Sequence, residues 1–489
     1  MRETPSTTDS DKPAQTTDAS SGAALGGNLG VVQLLFTILA FNGPLTVVVG
    51  IVPLVIGYGN GLGAPVAYLV AALVVATFAA GFTKMARHVE NPGGFYSFVA
   101  LGLGRRAGLG ASFLALVCYY LVLLASYAFI GITVESVVRD TLHGPSISWW
   151  VWALVAQLTV GVLGYFRLDI SARFLMVLMA GEVLIIIAYD AAVVASGGSE
   201  RLTASFLMSS NITSGSAGLA LLFAMLCMAG FEATVIFRQE VRAPERTIPR
   251  AAYGFIATVA VLFGITAWAV TQALGDRSAV AATATDPVGS LLGTVRIYLG
   301  AVGLDLVSVL LATSILAALV SSHNILSRYL FSLGVDGILP GAVGKAHRRH
   351  KSPHRASVTV SIVAFIGLLP FMIFDDTPAT LYAKLSGAFG YSFVLLLACT
   401  GLAIPVYLNR VRPASVTVWH RIVAPVLALA GMAIALYLAT DNIELLIGAG
   451  TSVIVILMVI VYGSFVLGFA VASVFRRTKP DVFERIGRQ

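Results

Sequence analysis

Apolar residues run through the chain in long blocks, separated by short polar or glycine-rich stretches. A helix needs about 20 mostly apolar residues to cross a hydrocarbon core ~30 Å thick. Blocks of that kind fall at 33–58, 64–86, 112–138, 148–166, 172–196, 216–238, 251–274, 296–322, 356–374, 381–408, 421–440 and 443–474, which predicts twelve spans. Each is expected to be α-helical. In lipid only helices and closed barrels satisfy their own backbone polar groups, and the alternating segments of a barrel are absent. Residues 1–27 are Ser, Thr, Asp, Ala and Gly with almost no large apolar residue. They are expected to form a disordered tail and lack the apolar stretch of a signal peptide. The division that follows is a tail over 1–27, a transmembrane domain over 28–474 and a C-terminal tail over 475–489.

Composition sharpens this into a class. Hydrophobic residues make up 57% of the 489 positions and charged residues only 11%, against about 25% charged in a soluble domain. That balance excludes an ordinary cytosolic enzyme, a disulfide scaffold and whole-chain disorder, and describes an all-α polytopic membrane protein. Cys118, Cys227 and Cys399 sit far apart inside apolar blocks and read as small buried hydrophobes. The net charge of +7 is a matter of sidedness. With the N-terminus inside, inner loops and tails hold 26 of the 31 Lys and Arg, including Lys345, Arg348, Arg349, Lys351 and Arg355. Arg139, Arg201, Arg277 and Arg296 fall outside, where the turns are otherwise neutral or acidic, as at Asp375-Asp376 and at Asp441 with Glu444. This bias predicts both termini in the cytosol.

Two spans carry helix-breaking chemistry near their middles. The first reads Phe41-Asn42-Gly43-Pro44-Leu45-Thr46, about ten residues or ~15 Å from its inner end. Proline removes a backbone donor and clashes with the preceding turn. The sixth reads Ala229-Gly230-Phe231-Glu232-Ala233-Thr234, with a carboxylate beside the glycine. The two breaks occupy corresponding positions in two five-helix halves, about 33–196 and 216–408, followed by two more helices over 421–474. Broken helices at matching positions point to a transporter's binding site, because their free N–H groups attract anions and their free carbonyls attract cations. Asn42, Gly43, Pro44, Leu45 and Thr46, with Gly230, Phe231, Glu232 and Ala233, are therefore the candidate substrate-binding residues.

Longer stretches resemble a known family. Gly230-Phe231-Glu232 followed by Pro244-Glu245-Arg246-Thr247-Ile248-Pro249-Arg250 is similar to the sixth helix and following inner loop of the amino acid–polyamine–organocation (APC) permeases. Ser327-Arg328-Tyr329-Leu330, Asp336-Gly337-Ile338-Leu339-Pro340 and Ser352-Pro353-His354-Arg355-Ala356 resemble that family's long loop after helix 8. Gly93-Gly94-Phe95-Tyr96 and Gly102-Leu103-Gly104 resemble its segment before helix 3. The resemblance implies the five-plus-five inverted repeat of the leucine transporter. It also implies secondary active transport of amino acids, amines or polyamines by alternating access, with protons as partner and without a cofactor. One departure matters. Many members have a Gly-small-Gly signature at the first break, whose amides hold a substrate carboxylate, whereas Pro44 has no amide to offer. This shifts the expectation toward an amine, a polyamine or an amino acid held partly by Asn42.

Charges at membrane depth require a reason, since each costs ~3 kcal/mol or more. Glu182 lies close to the midplane of span 5. His, Lys and Arg are absent from 174 to 200, so its partner must come from another helix, a substrate or a proton. In relatives a lysine on the fifth helix is tied to proton coupling, and the resemblance places Glu182 at or near that position. Asp305, about nine residues into span 8, is a second coupling candidate. Asp190, Glu135 and Lys384 lie nearer span ends and are expected to snorkel to water.

Other readings fall away. Gly102-Leu103-Gly104 through Gly110 imitates a dinucleotide loop without a preceding strand. His347, His350 and His354 with their basic neighbours fit a positive-inside loop better than a metal or nucleic-acid site. An intramembrane enzyme would need a nucleophile–base pair or a metal cluster at depth, and the seven histidines offer none, His323 sitting at the inner end of span 8. The expectation is a plasma-membrane proton symporter and not an enzyme, with an exchanger or exporter of amino acids or amines as the alternative.

Overall fold

A computed structural model of the protein describes residues 29–88, 94–166, 172–236, 238, 241–347, 352–373, 378–413, 416–448 and 450–487, without the side chains of 40, 41, 172–175, 233 and 236. The N-terminal tail, Gly93, Arg348, Arg349, His350, Lys351, Asp375 and Asp376 lie outside the described residues, as does the side chain of Ala233.

Among the described residues eleven helices are long and apolar enough to cross a membrane. The remaining block of the sequence, 216–238, is a helix that fails to run through: Ala217–Leu226 ends, turns follow, and Ala233–Ile236 resumes. Counting that broken element as span 6, the order is span 1 Val31–Asn42 with Pro44–Gly50, span 2 Ala64–Ala86, span 3 Arg105–Ser136, span 4 Trp149–Phe166 and span 5 Ala172–Ser196. The second half continues with span 7 Pro244–Leu274, span 8 Pro287–Val335, span 9 His354–Ile373, span 10 Pro378–Val411, span 11 Ala424–Asp441 and span 12 Thr451–Thr478.

Three elements depart from the hydropathy pattern, each for a local reason. Span 8 begins nine residues before its apolar block, because the Asp286 side chain accepts the Gly289 N–H at 2.9 Å and Pro287 opens the first turn. An acidic cap followed by proline starts a helix whatever the hydropathy. The same element bends at Gly300 (φ 74°), so Asp305 sits near the start of its second segment rather than deep within it. Before span 3, the Gly102-Leu103-Gly104 stretch is mostly helix, Phe95–Leu103, and turns only at Gly104 (φ 95°). After span 12, a short helix Pro480–Arg485 folds back onto the bundle.

Span 12 packs along span 3 through glycine contacts. A Cβ on Gly110 would press 2.8 Å from the Phe465 carbonyl oxygen, and Gly468 abuts the backbone of Leu109 and Gly110. The centre is aromatic, with Phe78, Phe82, Phe95 and Phe231 within 6.4 Å of one another between ring centroids. Just ahead of span 1, Leu29 forms an isolated parallel bridge with Val241, and its carbonyl accepts the Arg242 N–H at 3.0 Å. The entry to span 1 is thereby joined to the exit from span 6.

Candidate functional site

Span 1 breaks where the sequence says it should. Gly43 adopts φ 62°, ψ 79°, and its N–H closes the first half on the Leu39 carbonyl at 2.9 Å. Pro44, needing no donor partner, starts the second half. A side chain at Gly43 would meet the Ser314 and Thr46 hydroxyls at 3.0 and 3.1 Å as well as the wrong backbone region. The Asn42 side chain, next to this turn, reaches across to span 6. Its Nδ2 donates to the carbonyls of Cys227 at 2.6 Å and Ala229 at 3.0 Å, which the break has released from helical pairing. Asn42 Oδ1 is buried without a hydrogen-bond partner.

The span 6 break is held from within. Gly230 lies at φ 103°, and its N–H donates to Glu232 Oε2 at 2.8 Å. The Tyr119 hydroxyl of span 3 donates to Oε1 at 2.9 Å. Both carboxylate oxygens of a residue 3% exposed are thus satisfied. Phe231 fills the aromatic cluster beneath them.

Glu182 projects from span 5 onto the first break and is wholly buried. Its Oε2 accepts the Leu45 N–H at 3.1 Å and the Ser314 hydroxyl at 2.9 Å. The exposed amide of a half-helix start meets an acidic side chain there, the arrangement that a helix N-terminus favours. Thr46 in turn donates to Ser314 Oγ at 2.9 Å. A line of hydroxyls therefore leads from Thr46 through Ser314 to Glu182. Oε1 of Glu182 has no partner, and among the described residues no cation pairs with this carboxyl.

Between the two breaks lies a cavity of about 90 Å³, whose polar lining includes Asn42, Thr46, Tyr119, Ser322, Tyr382 and Ser386. Ligand pockets for larger molecules measure ~300–1,000 Å³, so this space suits a solute of few heavy atoms. No charged side chain lines it among the described residues. Tyr119 forms one wall. Behind it Tyr329 stands 5.8 Å away and Tyr96 a further 5.9 Å, ring centre to ring centre. Tyr382, which also lines the cavity, stacks on Phe129 at 4.4 Å.

The candidates of the sequence thus divide. Asn42 and Thr46 line the cavity, together with Ala229 beside Gly230. Gly43, Pro44, Leu45, Gly230, Phe231 and Glu232 shape the breaks behind that lining, and Ala233 contributes the backbone that reopens the helix. Glu182 joins the first break through Leu45 and Ser314. Asp305 does not join it: half-buried, it accepts from Thr141 at 3.0 Å at the far end of span 3, nine residues or ~13 Å of helix rise from Ser314. Asp190, expected to snorkel, is instead 7% exposed, with Thr266 of span 7 donating to it at 2.9 Å. Sequence reasoning missed Tyr119, Ser314, Ser322, Tyr382 and Ser386. Their only signal was a hydroxyl inside an apolar block, which many packing residues share.

Comparison with known proteins agrees with this geometry. An uncharacterized transporter of Rhizobium meliloti (strain 1021) is 24% identical over 353 residues, covering 69% of this chain and 71% of that protein. The family model for amino acid permeases matches residues 34–482, from the first turn of span 1 to the short helix after span 12. With both broken spans, the cavity between them and every span inside that match, the chain belongs to the amino acid permease family of the APC superfamily and is a multi-pass membrane transporter.

Proposed function

We propose that this transporter moves a small amino acid or amine across the plasma membrane together with a proton, and that Glu182 carries the proton. One observation supports the reading above others: a buried carboxyl without a cationic partner is hydrogen-bonded to the Leu45 amide and Ser314, one hydroxyl removed from the cavity. In its charged form Glu182 draws spans 1, 5 and 8 together by two charge-assisted bonds. Taking up a proton weakens both. Protonation thus changes how tightly the second half of span 1 is held, which is the kind of differential contact that alternating access requires. Glu182 does not line the cavity, which disfavours a direct salt bridge to a cationic substrate.

The substrate's ammonium takes the place of the Asn42 amide on the carbonyls of Cys227 and Ala229, and Asn42 Oδ1 becomes a further acceptor. Both termini face the cytosol, on the side of the His347–His354 loop.

Glu182→Gln tests the coupling. It keeps the side chain's shape and mimics the protonated acid, so counterflow in proteoliposomes should persist while acceleration by an inward proton gradient disappears. Gradient-driven accumulation at the native level would leave Glu182 a packing residue. The same vesicles, given a panel of amino acids and polyamines with and without the gradient, identify the substrate. For orientation, a cysteine at position 20 (Ser20→Cys) should resist impermeant thiol reagents in intact cells, and ready labelling there would reverse it.

A further inference from the structure

The three tyrosines that close one side of the cavity come from three different elements. Tyr119 belongs to span 3, Tyr329 to span 8 and Tyr96 to the helix Phe95–Leu103. Tyr329 lies seven residues beyond the cavity residue Ser322, ~10 Å further along span 8, toward the His347–His354 loop. Opening the cavity on that side requires these rings, and so these three elements, to part.

The segment Pro480–Gly487, the short helix and the two residues after it, touches all three. Ile486, 2% exposed, belongs to one apolar cluster with Leu109 of span 3, Leu333 of span 8 and Ala472 of span 12. Leu333 is one helical turn past Tyr329. Phe483 lies under the Arg105 guanidinium at the start of span 3, 5.6 Å from ring centre to Cζ. Val482 packs by Gly337, just after span 8. Gly487 turns at φ 79° with Ala100 directly against it, and Ala100 is one turn past Tyr96. A helix of six residues has no reason to persist alone in water. Its order derives from this seat, and the seat exists only while the three elements are together.

We propose that Pro480–Gly487 is a strap that holds the tyrosine gate shut and must leave its seat for the cavity to open on that side. The strap's contacts are made only in the closed arrangement, so they shift the population toward it. This inference does not depend on the identity of the substrate or on proton coupling. Its test needs neither and can fail while the transport reading stands.

The experiment is cysteine accessibility in the full-length protein carrying Ser322→Cys as a reporter within the cavity, Cys227→Ser and Cys399→Ser, with the fully buried native Cys118 retained as a check on the fold. Inside-out and right-side-out vesicles are treated with an impermeant maleimide, and the two peptides are followed by mass spectrometry. Ile486→Ala should speed labelling at 322 from the strap side roughly tenfold, as expected when one fully buried aliphatic contact is lost from one of two states. Deleting 480–489 should do at least as much. Cys118 should stay unlabelled, and labelling at 322 from the opposite side should not rise. Native labelling rates in both variants would overturn the strap. So would faster labelling of Cys118 along with position 322, because the segment would then serve the stability of the whole bundle.

Discussion

The two broken spans meet the same physical demand by opposite means. At the span 1 break the released amide of Leu45 is met by a side chain from another helix, Glu182. At the span 6 break the released amide of Gly230 is met by the carboxylate two residues on, Glu232. The first arrangement makes the local backbone depend on the position of span 5, and the second is largely self-contained. Beyond its own turn the span 6 break reaches Asn42 through its released carbonyls and Tyr119 of span 3 through the second oxygen of Glu232. A carboxyl that bridges two helices can pass a change of charge from one to the other. A carboxyl that ties its own turn mainly fixes a shape. The two buried glutamates are thus held differently, although both are carboxyls beside a helix break.

Substitutions can break this contrast. Glu232→Ala should have the largest effect, because it strands the Gly230 N–H and the Tyr119 hydroxyl in a buried site at about 1–3 kcal/mol each. A lowered thermal midpoint and loss of binding are expected, with Glu232→Gln restoring much of the stability through its remaining acceptor. Gly43→Ala comes next. It places a side chain in the left-handed region and against two hydroxyls, a cost of about 1–3 kcal/mol that should show as reduced transport in protein that still inserts. Asn42→Ala removes Oδ1, the further acceptor proposed for the substrate's ammonium. It should weaken substrate binding by about tenfold, on the scale of ~1.4 kcal/mol for one net interaction, measured by isothermal titration or competition. The mildest is Thr46→Val, which removes one neutral hydrogen bond worth ~1 kcal/mol from the line leading to Glu182. It should slow proton-driven uptake more than counterflow. Equal losses in the two assays would place Thr46 in the binding wall alone.

Much of this architecture was legible beforehand because hydropathy and helix breakers act locally. Gly43-Pro44 removes a backbone donor and loosens the same turn, and the block 216–238 could be seen to contain Gly230 beside Glu232. The partners were not legible. Nothing in the local sequence of Glu182 says that Leu45 and Ser314, 137 and 132 residues away, will satisfy it. Asp190, expected at water, is buried for the same reason, and the partner of Asp305 was equally hidden. Distance from the end of an apolar block is a poor measure of burial once Thr266 supplies a buried donor from span 7. Hydroxyl residues such as Tyr119 and Ser322 are invisible as site residues until the fold turns them toward one cavity.

The bridge between Leu29 and Val241 has a mechanical meaning. The broken spans are fastened twice: at this backbone pair, and again where the Asn42 amide grips Cys227 and Ala229. The fastenings lie at opposite ends of the helix Val31–Asn42, whose twelve residues rise ~18 Å. A rod pinned at two separated points no longer pivots freely about either one. The first half of span 1 is therefore held to the neighbourhood of span 6 at both of its ends, and a tilt about either fastening alone strains the other.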